Sequence, residues 1–528
     1  MIHTRRSYEG MCVAPHHLAA EAGRDILRDG GNAIDAMVAA AASIAVTYPH
    51  MSGVGGDGFW LIHEPGKPPI AIDACGPAAR LASPEWYAPL TDIPSRGPKA
   101  ALTMAGTVDG WREALSISRA WNSRLPLSRL LADAIHHARQ GVAVSRSQSA
   151  LTAKHYHDLA TCPGFADTFL SEGDIPTEGA RLRQPRLAKT LEQLAQAGLQ
   201  DFYQGDLADS MARDLERLGS PLRHEDFRQY RATSVAPLAV NLPQATLYNL
   251  PAPTQGISSL MILALFARLD VTQGEGFAHV HGLVEATKRA FLLRDRYVTD
   301  PRHMSVSLQS LLDDHTLERE VDAIDPRRAL AWPHASMQGD TIWMGTTDAQ
   351  GRSVSFIQSV YWEFGSGVVL PESGVMWQNR GTSFSLDSAS LRPLAPGRKP
   401  FHTLNPALAH FHDGRTMVYG TMGGEGQPQT QAALFSRYAM FDMPLQEAIS
   451  APRWLLGRTW GEATTTLKLE SRFSPGLVEC LRDAGHDLEV LEAAFSDTMG
   501  HAGAIVRHPH GLLEGAHDPR SDGGAAGC

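Results

Sequence analysis

The feature that most constrains this chain is a pair of apolar runs on either side of a short turn. The first run is Thr341-Ile342-Trp343-Met344, the turn is Ala349-Gln350-Gly351, and the second run begins at Ser353. This spacing predicts a buried strand that opens at Thr341, a turn and a second strand. A Thr hydroxyl is a weak nucleophile unless a base lies beside it, and a chain cut before Thr341 would gain one as its own α-amine. The same pattern also fits a Thr that merely begins a strand.

Motifs elsewhere in the chain bear on this choice. They fall, in order, in residues 13–63, 339–387, 399–430 and 515–524. Their most distinctive strings are Asp29-Gly30-Gly31-Asn32, Phe364-Gly365-Ser366-Gly367, Gly420-Thr421-Met422-Gly423-Gly424 and Asp518-Pro519-Arg520-Ser521. Together with Gly339-Asp340-Thr341, this ordered set resembles the γ-glutamyltransferase family of N-terminal-nucleophile hydrolases, nearly end to end.

The resemblance implies an α+β fold, a four-layer αββα sandwich of the N-terminal-nucleophile hydrolase type. It also implies self-cleavage, in which the Thr341 hydroxyl attacks the carbonyl of Asp340, the ester hydrolyses and the amine of Thr341 is freed. The products would be a large chain, residues 1–340, and a small chain, residues 341–528, which together form one compact domain. We therefore expect a heterodimer of the chain's own two products, with or without further oligomerisation, and no cofactor or metal.

Composition agrees with one large globular unit. The chain has 528 residues, of which 43% are hydrophobic and 20% charged, and no Ser-, Gly- or Pro-rich linker divides it. Its formal charge of -10 argues against nucleic acid as a partner, because phosphate contacts need clustered Lys and Arg. The five cysteines are widely spaced and include no CxxC pair, so they predict neither a disulfide scaffold nor a zinc site.

The sequence also bears on location. The basic start, residues 1–6, is followed by Ser7-Tyr8-Glu9-Gly10, where the apolar core of an export signal would have to begin. The longest apolar stretch, residues 36–48, is too short to span a bilayer. We expect a cytoplasmic protein that does not bind membranes.

Periodicity predicts several elements around the motifs. Residues 17–28 and 33–46 have the pattern of two helices, the second capped by Asn32. Residues 281–297 are expected to form another helix, with its basic side chains on the solvent-facing side: Lys288, Arg289, Arg294 and Arg296. Residues 300–340 are polar and aperiodic, so a mobile segment is expected before Thr341.

A glycine-rich stretch needs separate consideration. Gly53-x-Gly55-x-x-Gly58 matches the spacing of a dinucleotide fingerprint, which requires a strand before the glycines and a helix after them. Here the predicted order is reversed, with a helix before and a strand after. We therefore favour a close backbone crossing near the site over cofactor binding.

The resemblance implies roles for residues around the nucleophile. Gly423 and Gly424 occupy the positions whose N–H groups form the family's oxyanion hole, which stabilises negative charge on the attacked oxygen. Ser359, eighteen residues after Thr341, corresponds to the family's second Thr and is expected to orient the freed amine. The implied catalytic set is thus Thr341, Gly423, Gly424 and Ser359. Taken alone, an ordinary Gly-Gly turn and a packed strand Ser would fit the same residues.

The substrate positions depart from the family pattern. Where the family holds an α-ammonium with Asn, Gln and Asp, this chain has Tyr361, Arg380 and Ser383, and residues 73–77 offer no Arg for an α-carboxylate. Arg380 would repel an ammonium, whereas its planar guanidinium suits a carboxylate. A bulky Tyr361 would shrink the pocket. His402 and Thr403 replace a Ser pair and would add hydrogen bonds.

These departures predict an acyl donor that is an acid without an α-amine. Two branches of the family fit, the oxamate amidohydrolases of purine breakdown and the glutaryl-cephalosporin acylases, and Tyr361-Trp362 favours the smaller oxamate. A γ-glutamyl hydrolase or transferase acting on glutathione-like substrates remains an alternative. So does an unprocessed, non-enzymatic relative that binds a small acid or a partner protein. Arg380 could also pair with Asp387 or Glu363 and serve structure alone.

Overall fold

The protein is described by a computed structural model over residues 2–334, 339–457 and 464–528, with the side chain of Asp340 left aside. Two seven-stranded sheets lie at its centre. The first contains, from edge to edge, Arg5–Ser7, Leu513–His517, Ala502–Arg507, Thr416–Thr421, Ala407–Phe411, Ala245–Asn249 and Leu238–Asn241. The second contains Gly524–Gly527, Gly10–Ala14, Asp340–Asp348, Ser353–Tyr361, Asp57–His63, Ile70–Ala74 and Thr233–Val235. Neighbouring strands in both sheets are antiparallel.

Three apolar cores separate four layers. Because side chains alternate along a strand, Ile342 and Met344 face one core while Trp343 faces another, which lies between the two sheets. Helices cover the outer face of each sheet: His17–Arg28, Ala33–Thr47 and Thr107–Ala120 on the second, and Gly256–Phe266, Phe277–Tyr297 and Gly426–Phe435 on the first. The order helix, sheet, sheet, helix is the predicted αββα sandwich.

Smaller elements complete the described chain. The other helices of nine or more residues are Ala132–Gln140, Arg146–Lys154, Pro185–Ala197, Asp206–Leu218, Asp314–Asp322 and Pro475–Asp483. Shorter ones are Pro84–Tyr87, Leu127–Leu130, Tyr156–Leu159, Phe165–Phe169, Asp201–Gln204, His224–Gln229 and Leu445–Ser450. Two small sheets pair Trp454–Leu456 with Leu467–Leu469 and Leu488–Val490, and Val142–Ala143 with Arg181–Leu182. Among the described residues, no helix combines the length and the apolar character needed to cross a bilayer.

The two N-terminal helices lie where the sequence predicts them, at His17–Arg28 and Ala33–Thr47. Asn32 caps the second helix: its side chain accepts from the N–H groups of Ile34 and Asp35, and the Asp35 carboxylate accepts from the Asn32 N–H. This reciprocal cap satisfies donors that a helix start leaves open.

Two expectations about the polar segments are wrong. The aperiodic stretch before Thr341 contains the helix Asp314–Asp322, while residues 335–338 lie outside the described part. Lys288 and Arg294 do not face solvent, since only 2% of each side chain is exposed. Lys288 pairs with Glu285 at 2.7 Å and Arg294 with Glu425 at 2.7 Å. Buried carboxylates thus replace the water that a cation otherwise requires.

Glycines let the two sheets approach at Trp343. A methyl group placed on Gly420 would lie 2.2 Å from the indole Cδ1, and one on Gly503 would lie 2.5 Å from its Cζ3. Both glycines belong to the first sheet and pair with each other, so together they form a slot for a side chain from the second sheet. The indole Nε1 donates to Ser355 Oγ at 2.9 Å. Trp343 is thereby held on three sides, two residues from Thr341.

The glycine-rich stretch after the second helix is a close backbone crossing, as predicted. A methyl group on Gly55 would lie 2.1 Å from the Met376 carbonyl oxygen, and one on Gly56 would lie 2.0 Å from that of Ser359. Only glycine fits at such distances. The crossing brings the start of Asp57–His63 against Ser353–Tyr361, and so places Asp57 opposite Ser359.

Candidate active site

Thr341 lies at the second position of the buried strand Asp340–Asp348. The register pairs Asp340 with Tyr361 and Ile342 with Gln358, so a bulge places one residue opposite two at Thr341. The Thr341 hydroxyl donates to the Gln358 carbonyl oxygen at 3.0 Å. Bulges redirect side chains and end regular pairing, and this one sets Thr341 apart from the rest of its strand.

The last residue of the partner strand and the segment that follows it have strained backbone conformations. Tyr361 has φ of +85° and Phe364 has φ of +59°, in a region that side chains other than glycine rarely adopt. Ser359 Oγ accepts from the Tyr361 N–H at 2.8 Å, which helps to hold the unusual backbone. Such strain costs about 1 to 3 kcal/mol per residue and concentrates at functional sites. Ser359 lies across the bulge from Thr341 and has a backbone contact that the sequence did not suggest, while its role in orienting the freed amine stays a prediction.

Gly423 and Gly424 form a left-handed turn next to Gly339, two residues before Thr341. Their φ values are +114° and +52°. A methyl group on Gly339 would lie 3.3 Å from the Gly424 Cα, 3.3 Å from Thr403 Oγ1 and 3.0 Å from a Tyr361 ring carbon. The Gly423 and Gly424 carbonyls accept from Gly426 and Gln427 at the start of Gly426–Phe435. The glycine turn thus faces the chain two residues before Thr341.

Arg380 is the most unusual charge in this region. Its side chain is fully buried, and its guanidinium carbon lies 3.5 Å from the centre of the Tyr361 ring. NH2 donates to Thr403 Oγ1 at 3.5 Å, whereas within the described residues Nε and NH1 have no hydrogen-bond partner. Burial lowers the pKa of Arg380 to about 10, so the group is still a cation at neutral pH. A buried guanidinium with open donors is costly unless an anion binds there.

Neither carboxylate considered as a structural partner for Arg380 serves in that role. Asp387 is exposed, and Glu363 lies 3.7 Å from His155 instead. Among the residues that the structure describes, Arg380 forms no ion pair within 4 Å. The alternative in which Arg380 pairs with Asp387 or Glu363 and has only a structural role is therefore wrong. The guanidinium contacts Tyr361 and Thr403, the residues that also lie against Gly339.

The sequence did not reveal a role for Asp57, which lies behind His402. His402 Nε2 is 2.9 Å from Asp57 Oδ2, and Oδ1 accepts from the Gly76 N–H at 3.0 Å, the Gly106 N–H at 3.1 Å and Gln378 Nε2 at 3.1 Å. Burial raises the pKa of Asp57 to about 7 and holds that of His402 well below its usual value. Asp57 therefore fixes the ring orientation of His402, one residue before Thr403.

Among the described residues, two groups of side chains have the spacing of metal ligands. Asp57, Cys75 and His402 lie within 4.8 Å of one another, as do His281, Glu285 and His486. A cation lies next to each group, Arg380 beside the first and Lys288 beside the second. The positive charge of a neighbouring Arg or Lys repels a metal cation and so opposes its binding. We interpret both as hydrogen-bonded clusters.

The remaining residue of the predicted substrate set is less informative. Ser383 ends the short 3-10 turn Arg380–Ser383, and within the described residues its hydroxyl is buried and makes no hydrogen bond. The turn places Ser383 one helical turn from Arg380. The structure thus brings together Thr341, Ser359, Tyr361, Arg380, Thr403 and the glycine turn, with His402 directly behind.

Comparison with known proteins gives consistent results. A family model described as gamma-glutamyltranspeptidase matches residues 19–528. The chain is 57% identical over 522 residues to the oxamate amidohydrolase proenzyme of Klebsiella pneumoniae subsp. pneumoniae, a match that covers 99% of each protein. It is 40% identical to a glutathione hydrolase-like proenzyme of Bacillus subtilis, over 98% of each. The crystal structure of a cephalosporin acylase from Bacillus halodurans has a TM-score of 0.91 at 31% identity, covering 100% of this chain and 97% of the acylase.

Proposed function

The chain belongs to the gamma-glutamyltranspeptidase family, and on that premise we propose that it cuts itself and then hydrolyses a small amide that bears a carboxylate. Oxamate is the substrate we favour. Oxamate and water would give oxalate and ammonium through an acyl-enzyme on Thr341. The observation that carries this proposal is the buried guanidinium of Arg380, which has two nitrogens without a partner among the described residues and contacts Tyr361 and Thr403, the side chains that also lie against Gly339.

Maturation begins with Thr341 Oγ1 attacking the Asp340 carbonyl carbon. The bond to the Thr341 nitrogen breaks as an ester forms, and water then hydrolyses the ester, leaving a carboxylate on Asp340 and a free amine and hydroxyl on Thr341. The products, residues 1–340 and 341–528, stay together because each sheet contains hydrogen-bonded strands from both of them. The second sheet, for example, places Gly10–Ala14 between Gly524–Gly527 and Asp340–Asp348.

The mature site then uses the new amine as its base. An α-amine has an ordinary pKa of about 7.7 to 8.0, so it can accept the Oγ1 proton as Oγ1 attacks the amide carbon. The Gly423 and Gly424 N–H groups stabilise the negative charge on the substrate oxygen. The amine passes the proton to the leaving ammonia, and water hydrolyses the ester to release the acid. Ser359 orients the amine from the neighbouring strand.

Arg380 and Thr403 would bind the carboxylate of the substrate. Two parallel N–H donors of a guanidinium match the two oxygens of a carboxylate, and the Thr403 hydroxyl lies beside them. An α-ammonium, as in a γ-glutamyl donor, would instead face a cation in a site that excludes water. The charge at Arg380 therefore favours a donor that is purely an acid.

Tyr361 is the reason we favour a short acid. Its ring stacks on Arg380 and also contacts the position of Gly339, so the cation lies on the acyl side of the bond before Thr341. In oxamate the carboxylate is bonded directly to the carbonyl that is attacked. A glutaryl donor would need three further methylene groups between the same two points. The similarity to an oxamate amidohydrolase proenzyme supports the same choice.

Intact mass and ammonia release test the proposal. Purified protein should consist of two chains whose masses sum to that of the precursor plus one water, and Thr341→Ala should remain one inactive chain. Oxamate should release ammonia and oxalate faster than a glutaryl amide releases ammonia or glutathione releases glutamate. Glutamate without oxalate would assign a γ-glutamyl hydrolase or transferase, and release from the glutaryl amide alone would assign an acylase. One uncut, inactive chain would assign a binding protein.

A further inference from the structure

Gln255 lies behind the proposed site and connects its two halves. Its Nε2 donates to the Gly424 carbonyl oxygen at 2.8 Å and to the Thr403 carbonyl oxygen at 2.8 Å. Gly424 belongs to the glycine turn, and Thr403 carries the hydroxyl beside Arg380. Gln255 is fully buried and immediately precedes the helix Gly256–Phe266. One amide group thus contacts the backbone at both the oxyanion end and the carboxylate end of the site.

Arg294 determines which way this amide faces. Arg294 NH1 donates to Gln255 Oε1 at 3.1 Å, and NH2 donates to Glu425 Oε1 at 2.7 Å. Since a guanidinium can only donate, the amide oxygen of Gln255 must face Arg294 and the amide nitrogen must face the two carbonyls. The contact with Arg294 is charge-assisted, so this orientation is strongly preferred.

We propose that Gln255 is a positioning residue that holds the oxyanion turn and the carboxylate-binding residues in register. The inference rests on the function proposed above and extends it to a residue that touches no substrate. Gly423 and Gly424 have no side chains with which to fix their own backbone, and both have left-handed φ values. The hydrogen bond from Gln255 fixes the peptide plane that follows Gly424. Its second hydrogen bond fixes the backbone from which Thr403 reaches Arg380.

The expected effect follows from how oxyanion donors work. They lower the barrier only when they are held in place before charge develops, and a displacement of about 1 Å can cost on the order of 100-fold in rate. Loss of Gln255 should therefore lower kcat for acidic and neutral amides alike. It should also raise KM for oxamate, because Thr403 and Arg380 lose their support.

Gln255→Met and Gln431→Met form a matched pair for this test. Met keeps the approximate length of Gln without its donors and acceptor. Gln431 is also fully buried, and its Nε2 donates to the Asn405 carbonyl oxygen at 2.6 Å, with no hydrogen bond to the glycine turn in the part of the chain described. We expect Gln255→Met to lower kcat about 100-fold on oxamate and oxamide, and to slow self-cleavage by a similar factor. Gln431→Met should lower the melting temperature but keep kcat within about threefold.

Each outcome decides the inference. Wild-type kcat and KM in folded, cut Gln255→Met would overturn it, and so would equal kcat losses in both variants, which would indicate general loosening. Should Gln255→Met fail to fold, Gln255→Glu keeps the Arg294 contact but turns an oxygen toward the two carbonyls, and the same kcat loss is expected. Wild-type protein that neither cuts itself nor releases ammonia would overturn the proposed function as well, and that result would be visible without any variant.

Discussion

Replacing Arg380 by Met should change activity and stability in opposite directions. For a carboxylate about 4 Å from the guanidinium in a medium of effective dielectric about 20, the attraction is about 4 kcal/mol. At about 1.4 kcal/mol per factor of ten, kcat/KM for oxamate should fall by about three orders of magnitude. Oxamide, which has an amide in place of the carboxylate, should lose far less.

Stability should rise in the same variant. Arg380 is fully buried and two of its nitrogens have no partner among the described residues, so its contacts with Tyr361 and Thr403 offset only part of its desolvation cost. An apolar side chain of similar length removes this desolvation cost, so the melting temperature of Arg380→Met should increase. Such opposition between activity and stability is common at binding sites.

Ammonia release and thermal unfolding, measured on the same preparation, check both results. Arg415→Met is the control, because Arg415 pairs at the surface with Asp413 and should affect neither substrate. Equal losses on oxamate and oxamide, or a lower melting temperature in Arg380→Met, would show that the guanidinium supports the fold and would refute the electrostatic argument.

Three further predictions concern pH and packing. Because the free amine of Thr341 must be neutral to act as a base, kcat/KM should rise tenfold per pH unit up to about pH 8 and then level off; a flat profile from pH 6 to 9 would contradict this role. Burial raises the pKa of Asp518, but the positive charges of Arg453 and Arg520 have the larger effect and lower the pKa to about 2. The ionised Asp518 carboxylate therefore stabilises the fold above about pH 4, and this contribution is lost as the pH falls toward 2. Asp518→Asn should thus be about 3 kcal/mol less stable than wild type at pH 7 in denaturant titrations, with the difference vanishing near pH 2. Gly56→Ala should not yield soluble protein, because its methyl would lie 2.0 Å from the Ser359 carbonyl oxygen, whereas Gly30→Ala, in open space at φ +88°, should cost only about 1 kcal/mol.

Local patterns in the sequence predict much of the scaffold. The strand predicted to open at Thr341, which begins one residue earlier, the Asn32 cap and the close approach at Gly55 each depend on residues adjacent in the chain. The position of Arg380 beside Tyr361 depends instead on the register of the family resemblance. Once that position is known, the residue type alone predicts that a substrate ammonium would be repelled there.

Long-range partners account for what the sequence could not show. Asp57 is surrounded by donors from Gly76, Gly106 and Gln378, which come from three separate segments. The helical pattern predicts Lys288 on the solvent-facing side, whereas in the structure its Nζ donates to the carbonyl oxygen of Leu330, far along the chain, at 2.6 Å. An amphipathic pattern shows which helix positions are polar but not whether they are paired. A buried ion pair in a layer of helices therefore gives the same pattern as a solvent-exposed face.

The slot around Trp343 bears on where the amine of Thr341 would lie after the proposed self-cleavage. A newly made end normally frays, and a frayed end would hold its amine in many positions, few of them useful for taking a proton. Here the third residue of the new chain is clamped between Gly420 and Gly503 and tied to Ser355, so fraying can reach no further than Ile342. In the proposed maturation, the strand that carries Thr341 is therefore anchored before it acquires a terminus, and cleavage frees only the residues that precede Thr341.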